Sequence, residues 1–417
     1  MYSGNEKLPK EYQCLVCEAL EVRLCLELGR HPVSSHFTNA PDITIPVYDL
    51  SLGICQVCGM VQLIKPWSHK VLISPFDWFT YREPEGHLDD VVGKICSLVE
   101  VNSFTRMLGI SVKDQSTIDR FKKIGIETTS TINLKQVFGR SAKNAGIESI
   151  QHYLTPEFAS HWSQKNGKWD VVIARHIIEH AERPAGFLSA LSNLVSDNGY
   201  LVLEVPDCDP NLTRQDITMV WEEHTLYFTP GTFRETLERF GFEEVIFENY
   251  PMTFENCMVL VGKKTGSQIN KENNVDRAHK RNLKKKITIF DDYAKQYSFW
   301  GDLYRSYLEK QVRKGKRLAI YGAGHLSCAF IHYYRIKHLI SFVVDDTVEK
   351  QGLYLPGTGL PIVSSHHLAT KNIDLCLLGL SPDIEDKVIA NNKPFIEQGG
   401  KFKSIFVSSP RSLRADL

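Results

Sequence analysis

Three features of this sequence predict an α/β protein in which a cysteine-rich module precedes two doubly wound sheets. Four cysteines fall into two C-x-x-C pairs, Cys14/Cys17 and Cys55/Cys58. From about residue 104, apolar runs of strand length alternate with helical patterns, the order of a parallel sheet. A second alternation opens near residue 315, at R-L-A-I-Y-G-A-G-H. At about 100–200 residues per domain, 417 residues accommodate several domains with full cores. The expected division is 1–75 for the cysteine module, 76–262 for the first α/β domain, 263–314 for a linker and helix, and 315–417 for a Rossmann-like second α/β domain.

The elements follow in order. The module carries short β-like runs such as I-P-V-Y-D-L and M-V-Q-L-I, and an amphipathic helix is expected from Leu88 to Val101. Phe104–Ile110 reads as a strand, Ser116–Ile124 as a helix and Glu127–Ile132 as the next strand. W-D-V-V-I-A at 169–174 is continuously apolar after its first acid, as a strand buried on both faces must be. A helix over Pro184–Val195 leads to the strand Tyr200–Val205, and Pro230–Phe240 is helical. Phe242–Tyr250 and Cys257–Val261 suggest a closing hairpin. The polar, locally basic stretch 263–300 reads as a linker running into a solvated helix rather than a phosphate-binding patch.

Charge narrows the partners. Lys+Arg and Asp+Glu are 49 each, so the basic excess that marks a polyanion binder is missing and nucleic acid is not an expected partner. No stretch approaches the roughly 18 uncharged apolar residues of a membrane span, and M-Y-S-G-N-E-K-L-P-K lacks the apolar run of a signal peptide. A cytoplasmic location is expected; nothing in the sequence bears on oligomeric state.

Of the 10 cysteines, Cys25, Cys96, Cys208, Cys257, Cys328 and Cys376 are scattered, whereas Cys14, Cys17, Cys55 and Cys58 form two knuckles. A C-x-x-C turn presents two sulfurs to one tetrahedral ion, and two such turns complete a zinc site. Redox dithiols are the other use of this spacing. Gly59 suits the sharp turn that faces backbone amides toward the sulfurs. Four thiolates leave no open position, so the zinc is expected to be structural.

The richest stretch for chemistry is V-W-E-E-H-T-L-Y-F-T-P, residues 220–230. Imidazole titrates near neutrality, so His224 can take a proton from a carbon beside a ketone, with Glu223 adjacent to orient it. In this setting the chain resembles the sugar C-methyltransferases of bacterial deoxysugar synthesis along nearly its whole length. The shared parts are C-L-V-C with P-V-S-S-H-F and C-Q-V-C-G-M-V-Q-L, the loop Glu223-His224-Thr225-Leu226-Tyr227-Phe228-Thr229, and the C-terminal Y-G-A-G, V-V-D-D-T and K-Q-G-L-Y-L-P-G-T-G-L-P-I runs.

The resemblance implies a zinc module, a central class I methyltransferase domain and a C-terminal Rossmann-like domain. It also implies a nucleotide-linked 4-keto-6-deoxysugar substrate and S-adenosylmethionine as methyl donor. His224 is then the general base beside Glu223, His180 helps hold the keto oxygen, and Tyr81 contacts sugar or enolate. Trp221 and Tyr227 fall on the substrate side, Trp221 standing where the family often has tyrosine. Gly322 and His325, at the C-terminal glycine turn, are expected to help form the sugar-nucleotide cleft. Without that context, the turn followed by Asp345-Asp346 would suggest NAD, although Ser327 occupies the third glycine position.

The cofactor loop departs from the pattern. Class I methyltransferases place a G-x-G-like turn after their first strand; here R-M-L-G-I-S-V-K-D-Q keeps only Gly109. The acid expected at the end of the second strand is replaced by Asn133. Two readings stay open. Either Ser111, Asp114 and Asn133 supply polar contacts to S-adenosylmethionine, or the chain is a nucleotide-sugar isomerase or epimerase that uses the same base without a methyl donor.

Overall fold

The computed structural model describes residues 12–76, 78, 84–98, 101–138, 147–265 and 277–417. In the N-terminal part, β1 (Val22–Pro32) and β2 (Val47–Cys55) form a long antiparallel hairpin, and β3 (Val61–Leu63) pairs with β2. The middle of the chain contributes β4 (Met107–Gly109), β5 (Thr129–Thr131), β6 (Trp169–Arg175), β7 (Val195–Pro206), the two-residue β8 (Leu226–Tyr227), β9 (Phe242–Tyr250) and β10 (Cys257–Lys264). Six of these make one sheet in the order β5-β4-β6-β7-β10-β9, parallel except for β10, which runs against both neighbours. This is the doubly wound order expected from the alternating pattern, and it matches the class I methyltransferase domain that the resemblance implies. β8 leaves that sheet and pairs antiparallel with β3, so the N-terminal sheet reads β1-β2-β3-β8.

The C-terminal part holds β11 (Leu318–Tyr321), β12 (Ile340–Val344), β13 (Ile362–Val363), β14 (Leu375–Leu378) and β15 (Lys401–Ser404). They form a fully parallel sheet, β13-β12-β11-β14-β15. β11 and β14 are apolar throughout and buried on both faces, as a central parallel strand requires.

Two expectations change in the structure. The strand expected from Phe104 begins only at Met107, because Asn102 turns the chain first: its Oδ1 accepts from the Phe104 amide at 2.9 Å and its carbonyl from the Thr105 amide at 3.0 Å. The solvated helix is the 37-residue Arg277–Arg313, and one stripe of it is core rather than solvent-facing. Phe290, Tyr293, Tyr304 and Leu308 recur at helical spacing and are buried. They join side chains of β1 and β2, of residues 217–227 and of β11 in a single hydrophobic cluster. Burial of a side chain of this size contributes about 1.5–3 kcal/mol, so this helix fastens the N-terminal hairpin to the C-terminal sheet. Among the described residues, no helix is long and apolar enough to cross a membrane.

Candidate active site

The cysteine expectation has a geometric counterpart. Cys14 and Cys58 sulfurs are 3.7 Å apart and those of Cys17 and Cys55 3.6 Å. Four sulfurs each about 2.3 Å from one tetrahedral zinc stand roughly 3.8 Å apart, so the cluster fits zinc without rearrangement. Backbone amides point at the sulfurs, Cys17 N to Cys14 Sγ at 3.5 Å and Val57 N to Cys55 Sγ at 3.4 Å. Gly59 takes φ +76°, where a side chain would also press on Lys286.

The knuckles are wired to the loop that carries His224. Gln62, fully buried on β3, accepts from the Leu15 amide at 2.9 Å and donates to the Gln13 carbonyl at 3.1 Å. β3 then pairs with β8, and Leu63 N donates to the Thr225 carbonyl at 2.9 Å. Glu222 accepts from the Ser34 amide at 2.6 Å, with burial pushing its carboxyl up to about 7. From the central sheet's side, the Thr225 amide donates to the Glu179 carbonyl at 2.6 Å, and its hydroxyl lies 2.7 Å from the Ala181 carbonyl. From the C-terminal side, Tyr333 donates to the Val220 carbonyl at 3.1 Å. Three units therefore fix one short loop.

That loop walls a cavity of about 250 Å³ at the C-terminal ends of β6 and β7, where open α/β sheets hold ligands. His176, Glu179 and His180 reach it from the turn after β6, and Trp221 and His224 from the loop before β8. Phe254 and Glu255 come from the β9–β10 connection and Cys257 from the start of β10, and His325, Ser381 and Asp383 from the C-terminal part. His180 and His224 meet edge to face, ring centres 4.7 Å apart, and Trp221 lies 4.9 Å from His224. Burial, then neighbouring His224, holds His180 well below the usual histidine range, so it is neutral. Glu223 is buried but does not line the cavity; its backbone accepts a hydrogen bond from the His180 ring.

Beside the cavity lies a charged network that the sequence did not disclose. Glu204 of β7 receives Arg175 at 2.7 and 3.1 Å, His176 at 2.8 Å and His87 at 3.3 Å. Burial alone would raise the Glu204 carboxyl, but His176, His87 and Arg175 outweigh it and hold the group well below the usual range. Glu204→Gln leaves the Arg175 guanidinium buried without its counter-charge, and a loss of about 3–5 kcal/mol at pH 7 is expected. Because the folded pKa is depressed, this contribution is full above about 4.5 and fades as pH falls through the folded value. Urea unfolding of both proteins at pH 7 and at pH 3 measures it; a gap that does not narrow at the lower pH would contradict the assignment.

The cofactor loop is closed on itself. Ser111 and Asp114 are fully buried and form a reciprocal capping box: Asp114 accepts from the Ser111 amide at 2.7 Å, and Ser111 Oγ from the Lys113 amide at 3.1 Å. The other Asp114 oxygen accepts from the Arg175 amide at 2.9 Å. The expectation that these side chains contact the cofactor is thus corrected; their polar atoms hold the loop. Gly109 makes room for this packing, since a Cβ there would stand 2.8 Å from that of Asp114. Asn133 and Val112 are the exposed residues at this edge.

Comparison with known proteins divides the chain in the same order. Residues 14–72 match a zinc binding domain, 118–246 a methyltransferase domain, and 257–406 the C-methyltransferase C-terminal domain. The C-methyltransferase NovU of Streptomyces niveus is 25% identical over 416 residues, covering 97% of each chain. By its domains, the chain is a C-methyltransferase. Its cofactors are zinc and S-adenosylmethionine. Solved structures similar to part of it include a 1,6-didemethyltoxoflavin-N1-methyltransferase of Burkholderia thailandensis, with 12% identity and TM-score 0.31 over 43% of this chain and 79% of the other. Another is the magnesium protoporphyrin IX methyltransferase of Synechocystis, with 13% identity and TM-score 0.28 over 45% and 88%.

The remaining expected residues of this C-methyltransferase separate. His325 lines the cavity and stacks on Trp221, ring centres 4.3 Å apart at 21°. Tyr227 does not face the cavity: it is fully buried, and its hydroxyl donates to the Trp221 carbonyl at 3.1 Å, bracing the loop from behind. Gly322 also stays behind the wall. Its φ of +100° and its approach to the Gly379 carbonyl exclude a side chain, which shapes the turn that presents His325. Asp345 is engaged by the Ala323 amide at 2.9 Å and Lys350 at 2.8 Å, so it stabilises the glycine turn instead of offering a carboxylate to a ribose. Tyr81 lies outside the described residues. Sequence reasoning missed His176, Glu179 and Cys257 in the lining; only Glu179, directly before His180 in H-I-I-E-H, carried a visible signal.

Proposed function

We propose that the enzyme methylates the carbon beside the ketone of a nucleotide-linked keto-deoxysugar, with His224 as the base. Carbon is nucleophilic only once a proton has left it, so transfer to carbon needs a base at the reacting centre. The observation that carries this reading is His224, held by three units of the fold and facing the cavity at the sheet edge where ligands bind. On this reading residues 1–75 brace the loop, 76–262 carry donor and base, and 315–417 close the cleft over the sugar nucleotide through His325, Ser381 and Asp383. S-adenosylmethionine supplies the methyl group when bound. It would rest on the backbone after Gly109 and on Asn133, whose amide takes the place of the usual ribose-binding acid. Neutral His180, with one ring nitrogen turned to the Glu223 backbone, keeps only an acceptor, so on this reading it meets a sugar hydroxyl and not the keto oxygen expected of it from the sequence.

The test is incubation with S-adenosylmethionine and a panel of nucleotide-linked keto-deoxysugars in deuterium oxide, read by mass spectrometry. One added methyl group on the sugar is the expected product, together with donor-free exchange of the proton beside the ketone. A rearranged sugar with no methyl gain would replace methyl transfer by isomerisation.

A further inference from the structure

Glu179 is 1% exposed, and neither carboxylate oxygen has a hydrogen-bond partner among the described residues. The nearest ring, His176, has Nδ1 3.4 Å from Oε1 without hydrogen-bond geometry. A buried carboxylate left in that state is costly, and it marks a place where a ligand supplies the missing partner. His180 next to it is 4% exposed, and its Nδ1 is likewise without a partner. Nδ1 is the buried ring nitrogen without a partner, and the ring's interaction with the Glu223 backbone favours the tautomer in which Nδ1 carries the lone pair. This is the outer support that metal-binding histidines receive, a backbone acceptor on the far nitrogen. His224 completes the set: ligand atoms of Glu179, His180 and His224 all lie within 4.8 Å of one another. A tetrahedral ion with ligands at about 2.0–2.1 Å spaces them roughly 3.4 Å apart, a distance side-chain rotation can close.

We propose that Glu179, His180 and His224 bind a divalent transition cation of the zinc class, and that its occupancy silences the enzyme. Two imidazoles and one carboxylate suit zinc, nickel or cobalt better than magnesium or calcium. The ion takes the His224 lone pair, so no base remains for the substrate proton. The inhibitory half rests on the proposed role of His224; the metal site does not. Two other clusters are poorer candidates. His69 and His152 are stacked at 3.6 Å and 22°, so their in-plane lone pairs run nearly parallel and do not converge. In the His87–Glu204–Cys257 group the carboxylate is already engaged by Arg175.

The experiment is calorimetric titration of the zinc-loaded full chain with ZnCl2, with turnover followed in parallel. The wild type is expected to take up one further equivalent beyond the four-cysteine zinc and to lose turnover in proportion. Glu179→Gln and His180→Gln, each retaining its four-cysteine zinc and folded spectrum, are expected to lose that equivalent, while His69→Gln retains it. No second equivalent in the wild type, or one that survives both Glu179→Gln and His180→Gln, overturns the site. A second equivalent that binds at Glu179 and His180 without slowing turnover keeps the site and overturns the assignment of His224 as base.

Discussion

His224→Asn is expected to lower turnover by roughly two to four orders of magnitude, the usual contribution of a positioned general base. Asparagine preserves polarity and approximate size against Trp221 and His180, so the loop keeps its contacts while losing the basic nitrogen. S-adenosylmethionine affinity should be unchanged, because the residues proposed to hold the donor, Gly109 at the end of β4 and Asn133 just after β5, belong to other segments than this loop. Donor-free exchange of the substrate proton must fall with turnover, since both begin with the same proton transfer. Wild-type exchange with reduced turnover would show that His224 acts after deprotonation, and unchanged turnover would pass the base role to another cavity group. Single-turnover kinetics separates these outcomes from slow product release.

Much of this site was readable in the sequence, for reasons that can be assigned. Cys14, Cys17, Cys55 and Cys58 are legible because metal chemistry fixes both residue type and spacing. The central and C-terminal sheets are legible because parallel strands buried on both faces must be continuously apolar, as V-V-I-A and L-C-L-L are. The Arg175–Glu204–His87 network was not, because its meaning depends on residues brought together from distant segments; His87 and Glu204 meet only through the fold. Ser111 and Asp114 misled for a related reason. A polar residue in a cofactor loop can face the ligand or cap its own turn, and local sequence is compatible with both. Tyr227 shows the same ambiguity at an aromatic: its hydroxyl has a backbone partner behind the loop, which no spacing rule reveals.

Removal of the four-cysteine zinc is expected to abolish turnover and to loosen the N-terminal sheet. Structural zinc sites contribute about 10–16 kcal/mol in small zinc peptides, comparable to the whole stability of an ordinary domain. Here the loss has a path to the chemistry. Without the ion, Cys14 and Cys17 no longer hold the turn whose Leu15 amide is bound by Gln62. β3 then loses its anchor, and β3 is the strand that pairs with β8, two residues beyond His224. One face of the central sheet packs in a core that contains no residue of the cysteine module, whereas the other shares its cluster with Cys14, Cys55 and Cys58, so the sheet should be loosened on that face only and S-adenosylmethionine binding is expected to outlast turnover. Hydrogen exchange after treatment with a strong chelator, or in Cys58→Ser, should rise first in residues 12–64 and 220–228. The two metals also act in opposite directions. A weak chelator that strips only a cavity ion should raise turnover, whereas one strong enough to empty the cysteine site should destroy it. Full turnover in zinc-free protein would mean that the contacts of Thr225 with Glu179 and Ala181, and of Tyr333 with Val220, suffice to hold His224 in place.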